Sequence, residues 1–168
     1  MTRRSDLERH RQSLAEVRNI MNSMKTLAYL ETRKLSRFLA AQQSVLRNIE
    51  NAAEDFLGFY PDVLPETGSA IPVYLIVGSE RGFCGDFNHE LLRHLESTSG
   101  SHADKAPLLL PVGRKLHLLM EHDARVAAYI DGVNVVEEAF STLNQIVHEL
   151  AGLRLKHGPI SLYGLHHG

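Results

Sequence analysis

Proline is missing from the first sixty residues and glycine almost so: Gly58 is the first of twelve glycines and Pro61 the first of six prolines. Nothing before Gly58 therefore interrupts an α-helix. Cysteine is reduced to Cys84, which excludes an internal disulfide and any Cys-x-x-Cys metal framework and fits a reducing compartment. Long apolar runs are missing too. Val73-Tyr74-Leu75-Ile76-Val77 is far too short to span a bilayer, and Met1-Thr2-Arg3-Arg4-Ser5-Asp6-Leu7-Glu8 lacks the apolar stretch of a secretory signal. The chain reads as soluble. Its 168 residues, 43% apolar and 23% charged, leave room for one modest globular core.

The formal net charge of −2 hides an asymmetry. Residues 1–37 carry nine Lys/Arg against four Asp/Glu, a net of +5, and the remainder carries nine against sixteen, a net of −7. Such a split suits a first segment that meets an acidic partner surface, with a solvated helix face as the plainer reading.

Ser5-Asp6-Leu7-Glu8 has the Ser-x-x-Glu form of a capping box and predicts a helix from about Asp6. A single helix of roughly 50 residues follows, about 75 to 80 Å long. Its apolar residues keep a seven-residue repeat. One seam position reads Leu7, Leu14, Met21, Ala28, Leu35, Gln42, Ile49, Phe56, and the other reads His10, Val17, Met24, Glu31, Phe38, Val45, Ala52, Phe59. Thirteen of these sixteen sites are apolar, which argues for a coiled coil needing a second helix from outside residues 60–168.

After Pro61 the pattern changes. Pro61-Asp62-Val63-Leu64-Pro65-Glu66-Thr67-Gly68-Ser69 is rich in breakers, so a linker is expected over 60–71 between a shaft helix, 1–59, and an α/β domain, 72–168. Strands are expected at Val73–Val77, Leu108–Val112, Arg125–Ile130 and Ile160–Tyr163. Helices are expected at Phe87–Leu95, Arg114–Met120 and Glu137–Lys156. The apolar runs are nearly continuous, as in a parallel sheet covered on both faces, and right-handed crossovers give a small doubly wound, mostly parallel α/β domain of Rossmann-like form.

The turn Gly78-Ser79-Glu80-Arg81-Gly82-Phe83-Cys84-Gly85 lies between a strand and a helix, where phosphate loops occur. Its spacing, Gly78-x3-Gly82-x2-Gly85 without a lysine, fits neither a Walker loop nor a dinucleotide fingerprint, and the second strand ends in Pro111-Val112-Gly113 rather than an acidic residue. A tight structural turn built on Gly78, Arg81, Gly82, Cys84 and Gly85 is favoured over a nucleotide-dependent enzyme. Cys84 beside Arg81 has the setting of an activated thiol, but no His/Asn or His/Asp pair singles out a partner for it. None of His89/His94, His117/His122 or His166/His167 forms a metal-ligand motif. No catalytic, cofactor or metal residues are expected.

The residues resemble the gamma-subunit family of F-type ATP synthases in three places. Ile20-Met21-Asn22-Ser23-Met24-Lys25-Thr26-Leu27-Ala28, followed by Arg33-Lys34, is similar to the family's basic first helix with its Met-Lys step. Ser79-Glu80-Arg81-Gly82-Phe83-Cys84-Gly85 with Asn88 is similar to its Ser-Asp-Arg-Gly-Leu-Cys-Gly turn, and Gly113-Arg114-Lys115 to its Gly-x-Lys. Tyr29-Leu30-Glu31 departs from the small residues usual there. The resemblance implies a non-catalytic rotor subunit of a proton-translocating complex, its first helix in the bore of a hexamer of alpha and beta subunits. An epsilon-type subunit and a membrane c-ring are further implied partners. It also implies a peripheral place on the cytoplasmic face of an energy-transducing membrane, and no nucleic acid. Arg18, Met24, Lys25, Arg33, Lys34 and Arg37 are the implied bore contacts. Leu7, Leu14, Val17, Met21, Met24, Ala28, Leu35, Phe38, Val45, Ile49 and Phe56 form the seam, on which the family lays a second long helix antiparallel. Here the chain stops at Leu165-His166-His167-Gly168, so that helix is expected from a longer form of the chain or from another polypeptide. A coiled-coil adaptor that forms a homodimer is the reading from a different class.

Overall fold

The stretch without proline folds as one helix. In the computed structural model, which describes residues 2–63, 70–99 and 106–167, α1 runs Thr2–Phe59, 58 residues and roughly 85 to 90 Å. It begins a turn earlier than the capping-box reading. Arg3 and Arg4 are good helix formers, so Ser5 lies inside the helix rather than in the extended conformation of an N-cap. The hydroxyls that would compete with the helix are turned back onto it: Ser23 donates to the Asn19 carbonyl at 3.1 Å, Thr26 to Asn22 at 3.0 Å, Thr32 to Ala28 at 2.8 Å and Ser36 to Thr32 at 2.9 Å.

The backbone divides into two compact units, Met1–Phe59 and Tyr60–Gly168. Of the linker expected over 60–71, residues 64–69 lie outside the described residues, and Pro61–Val63 makes one 3₁₀ turn. The second unit runs β1 (Ile71–Val77), α2 (Phe87–Ser99), β2 (Leu108–Val112), α3 (Arg114–Met120), a 3₁₀ turn Val136–Glu138, α4 (Ala139–His157) and β3 (Ile160–Leu165). The sheet order is β2-β1-β3, parallel throughout, with Val73 opposite Leu108 and Ile71 opposite Ile160.

Strand alternation sorts the core into two layers. Tyr74, Ile76 and Leu109 pack with Leu91 and Leu95 of α2 and Leu116 and Met120 of α3. Val73 and Leu110 pack on the other face with Leu153 of α4, flanked by Leu75, Leu108, Leu150 and Ile160. Helices therefore cover both faces, which explains why the strands read as unbroken apolar runs.

The strand expected at Arg125–Ile130 is not formed. That segment lies along the outer edge of β2 and touches it through only two isolated parallel bridges, Leu109 with Val126 and Val112 with Ile130. Three steps on β2 face four on the segment, so one extra residue breaks the ladder. Pro111 has no N–H to give where the ladder would need one; its carbonyl accepts from Ile130 N at 3.1 Å, and Leu109 alone bonds both ways, to Arg125 O and from Ala127 N.

Arg125 adds a side-chain tie to these backbone bonds. Its Nη2 reaches Asp123 Oδ2 at 2.7 Å and Glu96 Oε1 of α2 at 2.6 Å. The hydrogen bond from Arg125 holds the Asp123 carboxyl below the ordinary carboxylate range despite partial burial. A carboxyl depressed in the folded state stabilises above its unfolded pKa of about 4, and that contribution fades as pH falls through and below this value. Arg125→Ala is expected to cost about 1–2 kcal/mol in urea unfolding at pH 7 and clearly less at pH 3.

Candidate functional site

The turn after β1 is built as a brace. Gly78 N donates to Val112 O at 2.9 Å, and a Cβ at Gly78 would come within 2.5 Å of Leu116 Cβ, so only glycine lets α3 pack this closely. Ser79 and Asn88 exchange bonds: Ser79 N donates to Asn88 Oδ1 at 2.9 Å and Asn88 Nδ2 to Ser79 Oγ at 2.8 Å. This ties the turn to the first turn of α2.

Glu80 was not among the expected turn residues, yet it is the centre. Its Oε2 accepts from Arg114 N at 2.8 Å and from Gly132 N at 3.0 Å, and the Arg114 guanidinium lies 3.8 Å from Oε1. Gly113 precedes α3 and offers no side-chain cap, so the free N–H groups of that helix start had to find an acceptor elsewhere. A helix opening Gly-Arg is the only trace of this in the sequence. Nearby, Tyr129 stacks on His117 with ring centres 4.1 Å apart and donates to Asp131 Oδ1 at 2.9 Å. Burial first, then Asp131 and Glu80, push its hydroxyl up to about 12.

Arg81 does not serve Cys84. Its Nε donates to Asn134 Oδ1 at 3.1 Å, while the Cys84 thiol donates to the Arg81 carbonyl at 3.4 Å. Phe83, between them, adopts φ 64 with its ring wholly exposed, and Gly85 adopts φ 58. Among the described residues no His, Cys, Asp and Glu side chains gather as a metal site, and no helix is long and apolar enough to cross a membrane.

On α1 every expected seam residue is exposed: Leu7, Leu14, Val17, Met21, Met24, Ala28, Leu35, Phe38, Val45, Ile49 and Phe56 form one stripe in water. The expected bore contacts do not share a face. At 3.6 residues per turn, Met24 lies in the stripe, Arg18 and Lys25 flank it on one side, Lys34 flanks it on the other, and Arg33 and Arg37 point away. Lys34 pairs with Glu31 at 2.9 Å, whereas Arg18, Lys25, Arg33 and Arg37 have no ion-pair partner among the described residues.

A family model described as ATP synthase matches residues 3–163, almost the whole chain and both units. The chain belongs to the ATP synthase gamma-subunit family. It is 23% identical over 116 residues to the ATP synthase gamma chain of Acetivibrio thermocellus, an alignment covering 65% of this chain and 39% of that protein. The chain thus spans about two fifths of the length of the curated relative it matches. Within the gamma-family turn, Glu80 occupies the position where the resembled motif has aspartate, and its carboxylate accepts from two N–H groups.

Glu80→Ala is expected to lower stability by about 1–3 kcal/mol, with Glu80→Gln less damaging because an acceptor oxygen remains. ATP or NAD added to either variant or to the parent is expected to leave the melting temperature unchanged; a rise with nucleotide would show an anion site in the turn.

Proposed function

We propose that this chain acts as the central-stalk rotor subunit of an F-type ATP synthase, with α1 as the shaft. In this reading α1 stands in the bore of a hexamer of alpha and beta subunits, and its rotation couples proton flow to ATP synthesis or hydrolysis on the beta subunits. The chain contributes torque and asymmetry and no catalytic group. An epsilon-type subunit and a membrane c-ring complete the stalk, which places the chain peripherally at an energy-transducing membrane.

The observation that carries the reading is α1 itself: a 58-residue helix with a continuous exposed apolar stripe in a gamma-family chain. Its unpaired basic residues, Arg18, Lys25, Arg33 and Arg37, lie within about a third of the helix circumference, beside and behind the apolar stripe. Basic groups so arranged suit acidic loops around a bore, where they favour orientation and encounter more than raw affinity. The seam's second helix is supplied in cis by a longer form of the chain or in trans.

Assembly with alpha and beta subunits tests the proposal. One copy per three alpha and three beta subunits is expected, with binding that weakens as salt rises. Replacing Lys25, Arg33 and Arg37 together by glutamine is expected to weaken that binding about tenfold or more at low salt. Failure to assemble, or a charge-neutralised variant that binds as the parent does, overturns the reading.

A further inference from the structure

We propose that the face of α1 turned away from the seam is a docking surface of its own, on which Tyr29 and Leu30 anchor an acidic segment of a ring subunit while Arg33 and Arg37 pair with its carboxylates. This rests on the rotor reading and names the part of the shaft that grips the ring. At about 100° per residue, Thr26, Tyr29, Leu30, Arg33 and Arg37 fall within roughly 100° of arc, centred opposite Met24, Ala28 and Leu35 of the seam. A helix seated on the seam lies on the other side of α1. The face therefore stays open whatever covers the stripe.

Tyr29 is 64% exposed and Leu30 48%. Single apolar residues scattered over a surface are ordinary. Here two large ones adjoin, and the turns before them are low: Ser23 and Thr26 are short, and their hydroxyls are bonded back to the carbonyls of Asn19 and Asn22. The pair stands proud of the helix at the place where the resembled family has small residues. Tyrosine and arginine are also the residue types that concentrate binding energy at protein interfaces.

Charge sets the chemistry of the partner. Between Val17 and Ile49 the chain carries six Lys/Arg and one acidic residue, Glu31. Glu31 lies on the seam side and holds Lys34 at 2.9 Å, so no carboxylate nearby on the helix is left for Arg33 and Arg37. Their counter-charge comes from another chain, and a carboxylate suits the planar fork of a guanidinium. Size sets where that chain comes from. Two apolar side chains and two arginines offer on the order of 400 Å², about half of the roughly 800 Å² that each side of a standard stable interface buries. So small a patch does not capture a free protein, but it can fix a subunit that the rest of a ring already keeps beside the shaft.

Assembly of the full chain with alpha and beta subunits tests this. The double variant Tyr29→Ala, Leu30→Ala is expected to raise the dissociation constant for the ring about tenfold or more. Alanine is the better helix former at both positions, so the helical circular dichroism of the variant is expected to match the parent's. With p-benzoylphenylalanine in place of Tyr29, irradiation of the complex is expected to link the chain to an alpha or beta segment that carries Asp or Glu within a few residues of the linked position. If the parent assembles and the double variant binds as tightly, or the link falls on a segment without acidic residues, on another copy of this chain or nowhere, the docking surface is refuted and the rotor reading stands. If the parent itself does not assemble, both are refuted.

Discussion

An apolar stripe along a 58-residue helix has to leave water, and that requirement governs how this chain can work. A helix gains little stability from its own backbone, and most helical stability in proteins comes from packing an apolar face. The next longest helix, α4, has 19 residues, too few to cover a stripe of eight heptads. In the proposed reading the seam is completed by another helix. The basic residues around it add direction to that association rather than strength, because exposed charges are individually worth little.

The α/β unit is held by its own contacts. Its sheet is covered on both faces and its core is apolar. Glu80 satisfies the start of α3 and the backbone of Gly132 together, and Arg125 fastens the outer segment to α2.

Much of this was legible in the sequence because it rests on periodicity and breakers. The absence of proline and glycine through Leu57 specified α1, the seven-residue repeat specified its stripe, and unbroken apolar runs gave β1, β2 and β3 nearly to the residue. Two things were not legible. Arg125–Ile130 has strand composition, yet its pairing fails through one extra residue and one missing N–H on a different segment, and composition of the segment itself records neither. Glu80 acts through contacts 34 and 52 residues away, so its role exists only once the fold brings Arg114 and Gly132 to it. The seam, by contrast, is a property of one helix, and it could be read without knowing what lies against it.

Hydrogen exchange resolved along the chain tests the central claim, that α1 is an interface waiting for a partner helix and a ring. It is measured on the dilute chain and again on the chain assembled with alpha and beta subunits. The account predicts that amides of Leu7–Phe56 exchange quickly in the dilute chain and become protected on assembly, while β1 and β2 are protected in both. If α1 is as protected as the sheet in the dilute chain, or stays unprotected in the assembly, the account is wrong.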